Sequence, residues 1–595
     1  MAHMHQDQES QAYGGGDDDT HGMVDIKGRP ALRSKTGGWK ACSFIVVYEV
    51  FERLAFVGIQ ANLVLYLTRE LHQGTVKSSS NVSNWIGTLW LTPVLGAYVA
   101  DSYLGRYWTF IISSAIYLMG MILLTLAVSI PSLKPPPCNP GIKEEDCAEA
   151  SPHQIGIFYL ALYIIALANG GTKPNISTLG ADQFDDLDPK EKTHKLSFFN
   201  WWMASVFSGA LFSSTVLVYI QDNLGWTLGY GLPTAGILLS LLIFVAGTPF
   251  YRHKKTSGSG SSPFIKMAKV LVAAVRKGPV PLPNDPKELH ELTFEEYAKI
   301  GIKRIDHTPS LRFLDRAAVK IGSNSPWMLC PVTQVEETKQ MIKMLPVLLV
   351  MFIPSTAIAQ VVTLFVKQGT TLDRSMGPNF DIPPASLIVF VTIFMLLTIF
   401  IYDRFLMPTV RRYSHNPRGI TLLQRLGIGL VLLTTAIIAA SLSERRRLSV
   451  ARKYQILGKN QTVPLTVFTL LPQFAIVGIA DAFLEVGKLE FFYDQAPESM
   501  KSIGSSFYCI SIGAGFFLNS ILLTTVSDIT KRNGHKGWIL DNLNESHLDY
   551  YYAFLAVLCF LNFLFFLVVA RFFVYNAEAN KSDIDLASQE ITSAT

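Results

Sequence analysis

Apolar positions in this chain run together in stretches of about twenty residues, the length at which a helix crosses the hydrocarbon of a bilayer. Twelve such stretches are readable: 39–66, 82–100, 107–129, 155–178, 196–220, 229–248, 341–366, 387–402, 422–442, 465–492, 503–526 and 550–574. Six precede a long hydrophilic segment and six follow it. The pattern predicts an all-α membrane protein, with twelve transmembrane helices in two six-helix bundles, 39–248 and 341–574, joined by a long cytosolic central loop, 249–340. A cytosolic N-terminal arm, 1–38, and a cytosolic tail, 575–595, flank them. The Gly/Asp-rich start of the arm, Met1 to His21, reads as disordered. With roughly forty polar residues ahead of the first apolar stretch, no cleavable signal peptide is expected. Within the central loop, Pro263 to Lys277 mixes apolar and basic residues in a way that suits a helix lying on the inner membrane surface. Pro-rich coil follows it.

Composition agrees with this picture. Charged residues make up 16% of the chain and hydrophobic ones 49%, against roughly a quarter charged in a soluble domain, so much of the surface faces something other than water. The net charge of +5 is spread thinly over loops and does not suggest a nucleic-acid partner. With both termini in the cytosol, the basic residues of the arm (Lys27, Arg29, Arg33, Lys35, Lys40), of the fourth loop (Lys190, Lys192, Lys195) and of the eighth (Arg404, Arg411, Arg412, Arg418) lie inside, as the positive-inside rule asks. The ninth loop, with Arg445, Arg446, Arg447, Arg452 and Lys453, would then face outward against the rule. The same orientation puts Cys138 and Cys147 on a short outer loop, where a disulfide can persist. It also puts the glycosylation acceptors Asn460 and Asn544 in two further outer loops. Cys42, Cys330, Cys509 and Cys559 read as packing residues.

Charge at bilayer depth is costly, so ionisable groups in a span face a cavity, pair with one another and mark an ion or substrate path. The first span holds Glu49, Glu52 and Arg53 between Phe44-Ile45-Val46-Val47 and Leu54-Ala55-Phe56-Val57. They read as a proton-coupling set. A helix end whose charges snorkel to water is the alternative, disfavoured because apolar residues continue to Leu67. In the fourth span Lys173 stands near Gly170 and Gly171, where helices can approach closely; it reads as a cavity cation or as a structural lysine. In the tenth, Asp481, Glu485 and Lys488 are four and three residues apart and share one face. A Glu485–Lys488 bridge there leaves Asp481 over. None of the twelve histidines falls in an apolar stretch, so carboxylates are the candidate proton carriers. Burial disfavours their charge and a neighbouring arginine favours it, which leaves such an acid poised to load and release a proton.

The two halves echo each other. Asp101 with the turn to Arg106 stands between the second and third spans, and Asp403-Arg404 followed by Arg411-Arg412 stands between the eighth and ninth. Such an internal repeat is expected of a transporter built from two bundles. With Glu49-Val50-Phe51-Glu52-Arg53, the loop from Gly96 to Arg106, the segment from Gly170 to Asp185, Phe198-Phe199-Asn200-Trp201-Trp202 and the run from Leu489 to Pro497, the chain resembles the plant nitrate/peptide transporter family. That family is the plant branch of the proton-dependent oligopeptide transporters within the major facilitator superfamily, and the chain is most similar to its fifth subfamily.

The resemblance implies a proton-coupled symporter of the major facilitator fold that imports small nitrogenous or organic-acid solutes. In it Glu49, Glu52 and Arg53 couple protons, and Lys173 meets Asp481 across the cavity, with Glu485 as a second candidate partner. Phe56, Gln60, Phe207, Ile358 and Gln360 line the solute path, and Asp101, Arg106, Asp403 and Arg404 act as cytosolic gate residues. Members usually carry glutamate at the place of Asp481. Where peptide carriers of the family commonly show a paired tyrosine this chain has Phe56-Val57; where an asparagine is common it has Phe207; where tyrosine, or histidine in a nitrate-carrying branch, is common it has Ile358. Each of these three changes removes a polar group. A buried polar ligand group left without a partner costs about 1 to 3 kcal/mol, so the cavity suits an amphiphilic organic anion, such as an acidic hormone or specialised metabolite, beside the di- and tripeptides or nitrate that the family implies. The expected partners are the solute, protons and the lipid bilayer, with a regulatory kinase as a further candidate. No cofactor and no metal are called for. No Walker sequence, metal-ligand cluster or nucleophile elbow occurs in the chain, which excludes ATP-driven transport within it and gives no sign of an enzyme. A substrate-sensing receptor in a transporter fold and an uncoupled uniporter are the competing classes. The plasma membrane is the default location, the vacuolar membrane the alternative.

Overall fold

The structure, a computed structural model, describes residues 19–136, 150–185, 188–254, 263–283, 285–300, 304–322, 325–378, 380–414, 420–456, 458–459, 461–532 and 536–575. Cys138, Cys147 and Asn460 lie outside the described residues, as do the arm before Asp19 and the tail after Tyr575.

Ten helical stretches among the described residues are long and apolar enough to cross a membrane. One of them, Thr75–Ser129, has 55 residues, roughly 80 Å at 1.5 Å per residue against about 30 Å of hydrocarbon. It is two spans end to end, Thr75–Val99 and Gly105–Ser129, separated by the π-helical turn Ala100–Leu104. The first span, Gly38–Arg69, is diluted by its own charges and brings the number to twelve. The others are Pro152–Ala181, Lys190–Asn223, Trp226–Ala246, Val332–Gly369, Pro384–Tyr413, Leu422–Lys453, Val467–Gln495, Glu498–Lys531 and Leu548–Phe572. A second π turn, Tyr402–Leu406, sits in the eighth span, where the sequence repeat places the counterpart of the first.

The helices fall into two compact units, residues 1–72 with 95–259 and residues 73–94 with 260–595. Most of the second span thus belongs to the second unit. Its small polar face packs on the eleventh span, with Asn519 Nδ2 donating to Ser83 Oγ at 2.9 Å and Ser80 Oγ donating to Ser520 O at 3.4 Å.

One end of the first unit is closed by the N-terminal arm. Asp19 to His21, part of the stretch expected to be disordered, are instead ordered: Asp19–Val24 pairs antiparallel with both Pro30–Leu32 and His253–Lys254. Two arginines tie this sheet to the helices. Arg33 reaches Asp185 at 3.1 Å and Asp188 at 3.2 Å. Arg252, fully buried, binds Glu191 at 2.7 Å and donates to Thr36 O at 2.7 Å.

In the second unit the linker has a core of its own. Its helix, Pro263–Arg276, buries Val270, Ala273 and Ala274 against Leu289, Leu314 and Cys330. This corrects the expectation of a helix lying on the membrane by its apolar face: that face meets the linker itself, and Leu271 and Val275 are the apolar residues left exposed. Lys277 closes the helix by donating to Val319 O at 2.6 Å and Ala317 O at 3.2 Å. Burial holds its ammonium below the usual lysine range.

The basic ninth loop is not a loop. The ninth span continues as helix to Lys453, and Arg447 is fully buried in a network rather than facing water. It binds Glu444 through Nε at 2.8 Å and Nη2 at 2.6 Å, and donates to Asn544 Oδ1 and Leu543 O, each at 2.7 Å. Gln368 Nε2 donates to Glu444 at 2.7 Å from the seventh span. The same network buries Asn544, whose Nδ2 donates to Gly458 O at 2.9 Å and Gln461 O at 3.1 Å. Both amide hydrogens are engaged, so in this structure Asn544 is a structural amide with no access for glycan transfer. Breaking a buried ion pair by removing one partner costs about 3 to 5 kcal/mol. Arg447→Met should therefore lower the melting temperature of the detergent-purified protein sharply. Glu444→Gln/Arg447→Met should melt above that single variant, since no bare charge is left; equal melting of the two would show that the pair carries no such penalty.

Candidate functional site

Helical spacing places Glu49, Glu52, Arg53, Phe56 and Gln60 along one side of the first span. Arg53 Nε donates to Glu49 Oε1 at 3.0 Å and lies 3.6 Å from Glu52 Oε2. Both carboxylates are buried. Glu49 is held by the i,i+4 bond, whereas neither oxygen of Glu52 accepts a hydrogen bond among the described residues. Glu52 thus keeps free acceptor capacity in a place where water is scarce.

Close helix approach fixes this set. A Cβ at Gly209 in the fifth span would lie 2.8 Å from Val50 O and 2.9 Å from Arg53 Cβ, so any other residue there would push the fifth span off the charged turn. From the fourth span Lys173 reaches over Phe56, its Nζ 5.1 Å from the ring centre. Arg53 stands 5.6 Å from the same ring. A cation near an aromatic face is stabilised by about 0.5 to 2 kcal/mol depending on desolvation, and here one ring serves two. Phe56 is therefore the platform on which Arg53 and Lys173 both rest. Gln60 lies one turn further along, and Phe207 is half-buried in the fifth span.

In the second unit, Lys488 is fully buried and binds Glu485 at 2.6 Å, with Ser355 Oγ at 3.3 Å and the Tyr508 ring centre at 5.9 Å. Asp481, one turn before Glu485, is buried with Oδ1 lacking any hydrogen-bond partner among the described residues. The seventh and eleventh spans touch backbone to backbone beside Ser355: a Cβ at Gly515 would meet Phe352 O at 2.7 Å. Ile358 is half-buried. Gln360, expected on the solute path, is fully buried; its Nε2 donates to Asn519 Oδ1 at 2.7 Å, in the network that continues to Ser83. It is a packing amide in this structure, because the hydrogen bond to the eleventh span holds it away from open space.

Of the four residues expected at the gate, Arg106 pairs with Asp182 at the end of the fourth span at 2.5 Å. Asp101, Asp403 and Arg404 are exposed on the two π turns. Among the described residues one trio, His307, Asp315 and Glu336, has donor atoms close enough to hold a metal. The Lys339 ammonium, 2.7 Å from Asp315 and 2.6 Å from Glu336, already fills that place.

A family model described as PTR2, the POT family, matches residues 107–539. The chain belongs to the POT family. Among curated POT relatives, the Arabidopsis thaliana protein NRT1/PTR FAMILY 5.2 is 59% identical over 578 residues, covering 97% of this chain and 98% of the relative. NRT1/PTR FAMILY 5.3 of the same plant is 58% identical, covering 95% and 96%. The resemblance to the fifth plant subfamily therefore holds over nearly the full length. Among solved structures, an auto-inhibited POT family peptide transporter matches with a TM-score of 0.63 at 20% identity, over 90% of this chain and 98% of that one. A POT family transporter in complex with 5-aminolevulinic acid matches with a TM-score of 0.58 at 16% identity, over 89% and 95%. These show the shared all-α transporter fold. The POT chain described here is thus a multi-pass integral membrane transporter and not an enzyme.

Sequence reasoning missed Ser355, Tyr508, Asn519 and Arg425. The last is a ninth-span arginine that binds Glu490 at 2.9 Å and stacks 4.6 Å from the Tyr402 ring. Asn519 alone carried a readable signal, an amide inside an apolar stretch, which in a membrane points to an interhelical bond. The geometry separates the two tenth-span acids. Glu485→Gln strands the buried Lys488 charge and should destabilise by about 3 kcal/mol, while Asp481→Asn removes a charge that no hydrogen-bond donor meets at Oδ1 and should destabilise less. Thermal unfolding in detergent with the reverse order would overturn this assignment.

Proposed function

We propose that this POT family member is a proton-coupled symporter that imports small organic anions or zwitterions, with the proton site at Glu49, Glu52 and Arg53. The observation that carries this is the incomplete pairing of the first-span charges: one arginine, two buried carboxylates, and Glu52 with no hydrogen-bond donor among the described residues. Glu52, buried 3.6 Å from Arg53 with acceptor capacity to spare, is proposed with Glu49 as the place where the proton is carried. Solute and proton then share one locus. A carboxylate entering beside Phe56 would meet Lys173 and draw on Arg53, loosening its hold on Glu49, so binding of the anion and loading of the proton favour each other by charge balance. Glu49, Glu52, Arg53, Phe56, Gln60, Lys173 and Phe207 are the proposed site residues of the first unit, and Asp481, Glu485 and Ile358 those of the second. Asp101, Arg106, Asp403 and Arg404 are proposed as gate residues at the cytosolic ends.

The apolar replacements at Phe56, Phe207 and Ile358 favour an amphiphilic acid, a hormone or specialised metabolite, over nitrate. The relatives' names carry both nitrate and peptide designations, and the solved transporter with 5-aminolevulinic acid shows a POT protein holding a small amino acid with a carboxylate. We propose further that the termini and the linker lie in the cytosol and the protein in the plasma membrane.

Uptake by oocytes of a panel of nitrate, dipeptides and acidic hormones, at acidic and neutral external pH, tests the reading. Uptake of at least one solute should rise on acidification. Glu49→Gln and Glu52→Gln should each abolish that rise while the protein still reaches the cell surface, because the amide keeps the shape and cannot carry a proton. Acid-stimulated uptake at wild-type level in both variants would remove the proton role from these residues.

A further inference from the structure

We propose that Thr308, in the linker, is a phosphorylation site for a proline-directed protein kinase, and that its phosphorylation releases the linker from the opening helix of the seventh span. The proposal rests on the cytosolic placement of the linker given above. Residues 304–308 form an irregular segment with Asp306 and Pro309 exposed and Thr308 half-buried. Pro309 biases the residue before it toward the extended conformation in which kinases bind their substrates, and a Thr-Pro pair is what the proline-directed class recognises. The linker holds two other such pairs, Ser262-Pro263 and Ser325-Pro326.

Thr308 differs from Ser325 in what its polar atoms hold. Its hydroxyl donates to Glu336 Oε2 at 2.7 Å, and its backbone N–H donates to Glu336 Oε1 at 3.0 Å. Its carbonyl accepts from Lys339 Nζ at 2.9 Å. Glu336 and Lys339 are buried residues of the seventh span's opening helix, Val332–Lys343. Three bonds from one residue thus clasp the linker to the span, and His307 adds a contact to Asp315 at 3.0 Å.

Phosphorylation reverses the sign of this contact. The γ-phosphoryl group of ATP passes to Thr308 Oγ1: an Oγ1–P bond forms, the bond from phosphorus to the ADP oxygen breaks, and the hydroxyl proton leaves through the kinase's base. The ester oxygen no longer has a hydrogen to donate, and a group of charge about −1.5 to −2 is set beside the Glu336 carboxylate, which lay 2.7 Å from the hydroxyl. Lys339 offers no relief. An ammonium has three donors; this one already donates to Glu336 and to Thr308 O and lies 2.7 Å from Asp315. Arg304 and Arg312, exposed on either side of the segment, are the cations that would receive the phosphate once it swings outward.

The test uses the full chain expressed in plant cells, with phosphopeptide mapping and amide hydrogen exchange on the purified protein. Phosphate is expected on Thr308, lost in Pro309→Ala and in Thr308→Val. Amides of 304–319 in the phosphorylated protein should exchange about tenfold faster, as suits loss of hydrogen bonds to a charged group, and treatment with a phosphatase should restore protection. Phosphate confined to Ser262 or Ser325, no phosphate anywhere in the linker, or unchanged exchange with Thr308 phosphorylated would each overturn the proposal. Acid-stimulated uptake measured in the same cells keeps its failure distinct from failure of the transport reading.

Discussion

Every charge that this chain carries into its apolar interior must be balanced there, because a bare ion in a low-dielectric medium costs several kcal/mol even after relaxation. The structure meets that constraint with short, local pairs. Glu49 with Arg53, Glu444 with Arg447 and Glu485 with Lys488 are three or four residues apart on one helix. Such spacing lets a span enter the membrane with its charges already partnered, before any other helix arrives. Aromatic rings complete the screening, with Phe56 under two cations and Tyr508 beside Lys488.

The proposed function resides where the pairing is left incomplete. The Glu444–Arg447 network is saturated: both residues are fully buried, and the guanidinium meets four acceptor atoms. Such a group is a fixed post. Glu52 and Asp481 differ, each a buried acid with oxygen left unmet. A transporter requires groups whose partners change during the cycle, and an acid without a settled partner is the group that a proton or a solute can most readily occupy. The contrast between saturated and unsaturated acids is what ranks the buried carboxylates for a transport role.

Much of this was legible in sequence because it is local. Hydropathy marks the spans, and i,i+3 or i,i+4 spacing marks Glu485 with Lys488 and the first-span set. The matching turns at Asp101 and Asp403 are visible as a repeat, and both are π-helical. What sequence did not show depends on residues far apart in the chain. Gln360 became a packing amide only because Asn519, 159 residues away, accepts from it. Asn544 became inaccessible because Arg447 and the 458–461 turn use its amide. The linker helix turned its apolar face inward because Leu289, Leu314 and Cys330 form a core that its own composition does not announce. The run of arginines after Ser443 looked like an outer loop since nothing local says that the helix continues to Lys453.

The central claim is that solute movement is tied to proton movement. The most direct measurement is solute accumulation by the purified protein in sealed proteoliposomes with an imposed pH gradient, acidic on the side from which solute is taken. The account predicts accumulation above the external concentration while the gradient lasts, and its collapse to simple equilibration when a protonophore is added. Accumulation that persists with the protonophore, or equilibration alone with the gradient intact, would contradict it.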